Sequence, residues 1–226
     1  MYLAIIPARS GSKRIKNKNI KLFFGFPIIK YPISVALSTK LFKKVLVSTD
    51  SKKIKKISEK YGAEVPFLRS KKLSGDFVPI NKVLINTISL LKKDFSPRFF
   101  CLIYSTASLI KKKDLLKSLK LLKKNQMADA ICSVCRFELP IQRAFKINKK
   151  NFLIFDRPKY KFIRSQDLEN LYYDAATFVW YKTKNFLSKN GNNLNIMPYI
   201  LPSDECQDID TIADWNIARK KFLKLY

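Results

Sequence analysis

The sequence predicts an α/β fold, a three-layer α/β/α sandwich whose sheet is mainly parallel. Three observations predict it. Strand-like and helix-like runs alternate over the first 140 residues, the pattern of βαβ units. The first strand-like run opens directly into a loop of small, amide and cationic residues. Two further polar segments also follow strands at once, where an open α/β sheet collects its ligand-binding loops.

Taken in order, Leu3 to Pro7 form the first strand, and Ala4 to Pro7 suit a buried one. The loop that follows contains Ala8, Arg9, Ser10, Gly11, Ser12, Lys13 and Arg14, with Lys18 and Asn19 close behind. Gly11 and Ser12 let the backbone turn its N–H groups toward an anion, and Arg9, Lys13, Arg14 and Lys18 add charge, so the loop has the character of a phosphate cradle. It is neither a G-x-x-x-x-G-K-[ST] loop nor a G-x-G-x-x-G loop, because Gly11 stands alone. A basic surface loop is the competing reading of the same residues.

A helix near Tyr31 to Thr39 and a strand at Val45 to Thr49 come next. In the helix over residues 51 to 60, Ile54, Ile57 and Tyr61 keep an apolar stripe while Lys52, Lys53, Lys55, Lys56 and Lys60 cover the rest, and Gly62 caps its end. A strand at Glu64 to Leu68, a helix near Asn81 to Lys92, a strand at Phe99 to Tyr104, a helix at Lys113 to Lys124 and a strand at Ala130 to Phe137 complete the alternation. Ser48-Thr49-Asp50 and Tyr104-Ser105-Thr106 should meet the first loop on one rim. From about 136 to 182 the alternation weakens into short strands at Ala144 to Ile147 and Phe152 to Phe155, an Arg-Pro break at 157 and 158, and an aromatic strand at Ala176 to Tyr181. This stretch reads as an insertion within a single domain spanning residues 1–226.

Residues 207 to 211 read Gln-Asp-Ile-Asp-Thr and lead into a helix marked by Ile212, Trp215, Ala218 and Phe222. In an extended segment Asp208 and Asp210 project to the same side while Ile209 points into the core. Two such carboxylates suit magnesium, which takes oxygen ligands and shares them with substrate phosphates. The alternative is that Asp210 or Thr211 caps the helix, since Thr211 and Asp214 have the spacing of a capping box.

A chain of 226 residues, 47% hydrophobic, buries one sizeable core. It has no run of eighteen apolar residues, and its apolar start is too short for a secretory signal, so a cytoplasmic protein without a membrane span is expected. The net charge of +28 suggests nucleic acid at first sight. Only nine of the 45 cations are Arg, however, and the Lys residues lie along polar helix faces, which favours a solvated surface over a specific nucleic-acid partner. Where Lys is so freely used, the positions that keep Arg invite a need for a planar, bidentate guanidinium. Arg9, Arg14, Arg69, Arg143 and Arg164 are the ones in question. Cys132 and Cys135 form a C-x-x-C, but within a strand they face opposite sides, and with no His in the chain a zinc or redox role is disfavoured.

Taken together, these segments resemble the acylneuraminate cytidylyltransferase family, the enzymes that activate nonulosonic, sialic-acid-like sugars. The resemblance runs through residues 6–14, 18–20, 47–50, 67–69 and 207–211. Pro140-Ile141-Gln142-Arg143-Ala144, Arg164-Ser165-Gln166-Asp167-Leu168, Tyr173-Asp174-Ala175 and Tyr104-Ser105-Thr106-Ala107 resemble the branch acting on pseudaminic acid. Ser108 stands where that branch usually has Pro, and Tyr173 where His is common.

The resemblance implies a nucleotide-diphospho-sugar transferase-like fold and the condensation of CTP with a nonulosonic acid, giving a CMP-sugar and pyrophosphate. It implies nucleotide contacts from Ala8, Arg9, Gly11, Ser12, Lys13, Lys18, Asn19 and Arg69, and Mg²⁺ on Asp208 and Asp210. Sugar contacts would come from Tyr104, Thr106, Gln142, Arg143, Arg164, Gln166 and Asp174. Arg9 and Lys18 would neutralise the leaving group, with Asp210 aiding deprotonation. It also implies that the insertion serves dimerisation, making a homodimer. The rival readings are a synthetase for neuraminic or legionaminic acid and, in a different class, a basic nucleic-acid-binding protein.

Overall fold

A computed structural model describes residues 1–92 and 95–225. In chain order, β1 (Tyr2–Pro7) leads through the basic loop and a 3-10 turn at Lys18–Ile20 to a two-stranded hairpin, β2 (Leu22–Phe23) and β3 (Phe26–Pro27). Next come α1 (Lys30–Ser38), β4 (Lys44–Ser48), α2 (Lys52–Lys60), α3 (Ile80–Leu91), β5 (Phe99–Ile103), α4 (Lys112–Lys124) and β6 (Ala130–Arg136). A second hairpin, β7 (Phe145–Ile147) and β8 (Leu153–Phe155), precedes β9 (Tyr172–Lys182), α5 (Thr183–Ser188), β10 (Ile196–Leu201) and α6 (Ile212–Leu225).

The six-stranded sheet has the order β10-β6-β9-β5-β1-β4. β1 pairs in parallel with β4 and β5, and β10 with β6, whereas β9 runs antiparallel between β5 and β6. The predicted mainly parallel α/β sheet is therefore present, with one reversed strand. Alternate residues of the central strands face opposite layers, as the two-residue period of a strand requires. Ala4, Ile6, Val45, Val47 and Trp180 pack with Ile33 of α1, Ile54 of α2 and Leu119 of α4. Leu3, Ile5, Leu46 and Phe100 pack with Leu84 and Ile88 of α3 and Phe186 of α5. The hairpin of β2 and β3 joins Trp215 and Ala218 of α6 in a separate aromatic cluster that also buries Ile15 and Ile209.

Local chemistry explains where elements begin and stop. Ser51 caps α2 by accepting from the Ile54 N–H at 3.3 Å. Gly62 takes a left-handed φ of +89° just beyond α2 and donates to Glu59 O, as a C-terminal glycine does.

Two sequence expectations need correction. The strand expected at Glu64 to Leu68 reduces to one bridge between Leu46 and Glu64, because Pro66 has no N–H to extend the ladder. The stretch outside the sheet is 137–171 rather than 136–182, since both ends of β9 pair in the sheet, its start with β6 and its end with β5 and β6. Both ends of that stretch are joined at the sheet, where Phe137 donates to Leu171 O at 3.0 Å. Among the described residues, no helix is long and apolar enough to cross a membrane.

Candidate active site

The carboxyl ends of β1 and β5, the segment from Arg69 to Val83 and Asp210 before α6 enclose a cleft of about 490 Å³. Its lining includes Arg9, Ser12, Lys13, Arg14, Lys18, Asn19, Arg69, Tyr104, Ser105 and Asp210. Of the segments expected to meet on one rim, the first loop and the segment after β5 line the cleft, and Asp210 before α6 joins them. Ser48-Thr49-Asp50 does not line it and reaches it only through the Asp50 bonds to Ser10.

The loop after β1 is held from several sides. Asn19, only 5% exposed, donates to Arg9 O at 2.8 Å and accepts from Ser105 Oγ at 2.8 Å, tying the loop to the end of β5. Its amide is therefore committed to the scaffold. At the other end of the loop, the Asp50 carboxylate accepts from Ser10 N–H at 2.8 Å and from Ser10 Oγ at 2.7 Å. Burial alone would raise the pKa of Asp50, but the Ser10 bonds, with help from Arg69, outweigh it and hold the carboxyl below its ordinary value.

Gly11 differs from expectation. A Cβ placed there meets nothing within 4 Å and its φ is not left-handed, while Ser12 N–H turns back onto Ser10 O at 2.9 Å. The left-handed turn of the loop falls instead on Asn17, with φ +55°. Ala8 is fully buried and reaches the site through backbone only, donating to Ser48 O.

Arg69 is almost buried, at 8% exposure, and its Nη2 donates to Ser48 O at 2.5 Å. Burial lowers its pKa, and the nearby Asp50 opposes that shift. Its Nε is buried without a protein partner although the residue lines the cleft, which leaves a donor to satisfy there.

At the acidic end, the capping question resolves. Asp214 Oδ2 accepts from Thr211 N–H at 2.7 Å and Thr211 Oγ1 accepts from Asp214 N–H at 3.2 Å, which is a reciprocal cap. Asp210 is thereby left for the cleft, where it pairs with Arg14 Nη2 at 2.7 Å and Lys18 Nζ at 3.1 Å. Lys18 also donates to Ile209 O at 2.5 Å. Ile209 is fully buried between the two acids, so Asp208 and Asp210 lie on one side. Asp208 keeps solvent contact, yet surrounding protein raises its pKa, followed by the charge of Asp210 and, more weakly, of Asp174.

Among the described residues no group of three or more His, Cys, Asp or Glu gathers to hold a metal. A cation on these acids would need further oxygens, as magnesium takes from phosphate and water, and an all-carboxylate donor pair is the chemistry it prefers.

The expected sugar-binding residues divide. Tyr104 lines the cleft and donates to Asp174 Oδ2 at 3.2 Å. Burial, then the Asp174 charge, raises the Tyr104 pKa well above its ordinary value, so it remains a donor. Asp174 also accepts from Ala176 N–H at 2.8 Å across a kink in β9 where Ala176 adopts φ +47°. Thr106 is buried and lies outside the cleft lining. Gln142 is buried, donates to Glu169 O at 2.7 Å and leaves its Oε1 unpartnered. Arg143 reaches Ser165 Oγ, Arg164 pairs with Asp167, and Gln166 is exposed. None of Gln142, Arg143, Arg164 or Gln166 lines the cleft. The two cysteines of the C-x-x-C separate as expected: Cys132 lies 4.0 Å from Asp174, and Cys135 packs with Cys206.

Three residues escaped the sequence argument: Asp50, Ser105 and Asp76. Asp50 and Ser105 sat inside noticed segments but without a role. Asp76, in a Ser-Gly-Asp turn, carried no signal, yet it lies 2.5 Å from both Arg9 and Lys13.

Known proteins agree with this architecture. The chain is 38% identical over 224 residues to a pseudaminic acid cytidylyltransferase of Campylobacter jejuni, covering 96% of this chain and 94% of that one. It is 34% identical to a two-activity protein of Helicobacter pylori, a pseudaminic acid cytidylyltransferase joined to a UDP-sugar hydrolase, covering 96% of this chain and 42% of that one. An N-acylneuraminate cytidylyltransferase of Escherichia coli is 28% identical, covering 96% of this chain and 51% of that one. Among solved structures, CMP:2-keto-3-deoxy-manno-octonic acid synthetase complexed with CTP superposes with a TM-score of 0.71 at 15% identity, covering 100% of this chain and 99% of that one, which shows a shared fold. The cytidylyltransferase family model matches residues 3–201, and this chain belongs to that family.

Proposed function

We propose that the protein condenses CTP with pseudaminic acid, giving CMP-pseudaminic acid and pyrophosphate. The observation that carries this reading is the single cleft in which Arg9, Lys13, Arg14 and Lys18 face Asp210 and the Tyr104 hydroxyl. One end has the charge for a triphosphate and the other has the neutral donor and carboxylate suited to a polyhydroxylated acid.

In the reaction the anomeric hydroxyl oxygen bonds to the α-phosphorus, the α–β bridging P–O bond breaks, and pyrophosphate departs with the bond electrons. Arg9 and Lys18 hold the phosphate chain and stabilise the charge that grows on the leaving group. Arg69 offers its unpartnered Nε and the Gly11 backbone is a further donor. Asp208 and Asp210 would hold Mg²⁺, which supplies Lewis-acid polarisation of phosphate oxygens and acidifies the attacking hydroxyl. The chain has no His, so no imidazole base is on hand, and the hydroxyl proton passes to a carboxylate or water; Asp210, one of two acids on the cleft wall beside Asp76, takes that role. Tyr104 and Asp174 orient the sugar.

Gln142, Arg143, Arg164 and Gln166 belong to the stretch 137–171, whose Ile147, Phe152, Leu153 and Phe162 are 66% to 89% exposed. This supports a homodimer in which the stretch packs on a second copy and brings such residues to a site. CTP as substrate supports a cytoplasmic location.

The test is pyrophosphate release from CTP and Mg²⁺ with pseudaminic or N-acetylneuraminic acid, for wild type and Asp208→Asn. Release with pseudaminic acid, reduced in the variant by at least about a hundredfold, is expected. Release with neuraminic acid instead overturns the sugar assignment, and release with neither overturns the enzyme reading.

A further inference from the structure

The cations of the cleft are already neutralised by acids of two different kinds. Asp210 pairs with Arg14 and Lys18, and it sits at the head of α6, where its own N–H is held by Asp214 at 3.1 Å. Asp76 takes the other two cations, with Oδ1 2.5 Å from Arg9 Nη1 and Oδ2 2.5 Å from Lys13 Nζ. One carboxylate thus spans two groups that a phosphate chain would span.

The segment that carries Asp76 is loosely tied. The backbone hydrogen bonds across residues 70–79 are local, from Leu73 to Ser70 O, Ser74 to Lys71 O and Val78 to Gly75 O. Phe77, at its tip, is 99% exposed. The same segment lends Leu73, Gly75, Asp76 and Val78 to the cleft wall. Beside the bond from Arg69 Nη1 to Leu73 O at 3.4 Å, the ion pairs of Asp76 are the polar contacts that draw the middle of this segment onto the loop after β1.

We propose that Asp76 is an exchangeable counter-ion for the triphosphate site. It holds Arg9 and Lys13 while the cleft is empty, yields them to the nucleotide, and takes them back as pyrophosphate leaves. The inference rests on the reading of this cleft as the CTP site. A triphosphate brings more charge and more acceptor oxygens than one carboxylate, so it wins the competition for the guanidinium and the ammonium. The carboxylate still subtracts from the binding of every phosphate ligand, substrate and product alike. Such a built-in competitor weakens ground-state binding and favours departure of a product that four cations would otherwise retain.

The experiment is isothermal titration of inorganic pyrophosphate and of CTP into wild type, Asp76→Asn and Asp76→Ala, with Mg²⁺ and with EDTA. Turnover is measured on the same preparations. Asp76→Asn keeps the side-chain size and Asp76→Ala removes it, so agreement between them isolates charge from shape. Both variants are expected to bind both ligands roughly three- to tenfold tighter, the range for releasing exposed ion pairs, in EDTA as well as in Mg²⁺. The KM for CTP should fall without a rise in kcat. Unchanged or weaker binding overturns the proposal, and weakening seen only with Mg²⁺ overturns it by assigning Asp76 to the metal. A wild type that binds neither ligand overturns the nucleotide reading and this inference together, whereas wild-type binding without tightening in the variants overturns this inference alone.

Discussion

Replacing Asp50 by Asn tests whether one carboxylate at the end of β4 sets the start of the phosphate loop. Asp50 receives two hydrogen bonds from Ser10, at 2.8 and 2.7 Å, one on each oxygen. Asn offers a single acceptor oxygen and turns an NH₂ toward a donor, so one bond is lost and the charge with it. A charge-assisted bond contributes about 1.5–3 kcal/mol when well buried. This one faces solvent in part, and about 1 kcal/mol is the appropriate figure. In a chain of this length that lowers Tm by about 2–4 °C, and a loop loosened by the same energy weakens CTP binding roughly fivefold.

The pH dependence gives an independent check. Because the folded pKa of Asp50 lies below the ordinary 3.8, its contribution is present above that value and is lost as pH falls through the depressed one. The gap in Tm between wild type and Asp50→Asn should be full at neutral pH and close as pH falls through the depressed value of Asp50. Differential scanning fluorimetry across pH, with CTP titration at neutral pH, measures both effects, and Ser10→Ala completes a double-mutant cycle. Equal Tm and equal CTP affinity at neutral pH would refute the anchoring role.

Two further substitutions probe the scaffold. Ala176 holds φ +47° while 8% exposed, so Ala176→Val, whose branched side chain resists that conformation, should cost about 2 kcal/mol or more, whereas Ala176→Gly should be neutral or mildly stabilising. Thermal melts that rank Gly below Val would contradict the strain. Ser108 is 4% exposed and its Oγ has no protein partner, so Ser108→Ala is expected to hold or raise stability by up to about 1 kcal/mol, and a clear loss in a denaturant melt would show that the hydroxyl is satisfied.

The sheet was legible because strands and helices alternate with few exceptions, and a helix such as α2 shows its apolar stripe of Ile54 and Ile57 running on to Tyr61. The reversal of β9 was not legible, since a strand buried on both faces reads the same in either direction. β10 was missed because Ile196–Leu201 contains Pro198 and exposes Ile196 and Ile200 at a sheet edge, where apolar continuity is not required. In the cleft, the cations and Asp210 were readable from residue type and spacing. Which acid meets which cation was not, because Asp76 and Arg9 lie 67 residues apart in sequence and only the fold brings them together. Asn19, expected at the nucleotide from the resemblance, and Gln142, expected at the sugar for its amide, both spend their NH₂ groups on backbone carbonyls. An amide in a sequence does not reveal whether it faces ligand or scaffold.

The reversed strand has a consequence for how such a protein can change. β6 ends and β9 begins at the same rim, with Arg136 opposite Tyr172 in register. The chain between them leaves and re-enters the sheet through adjacent residues, so its length can vary at a small cost in closure entropy and without shifting any pairing. This makes the stretch 137–171 an exchangeable cassette, joined to the sheet at one point close to Asp174 of β9. Substitution, lengthening or replacement of this stretch can therefore proceed without disturbing the strands that carry the cleft, so the two parts are free to diverge at different rates along one chain.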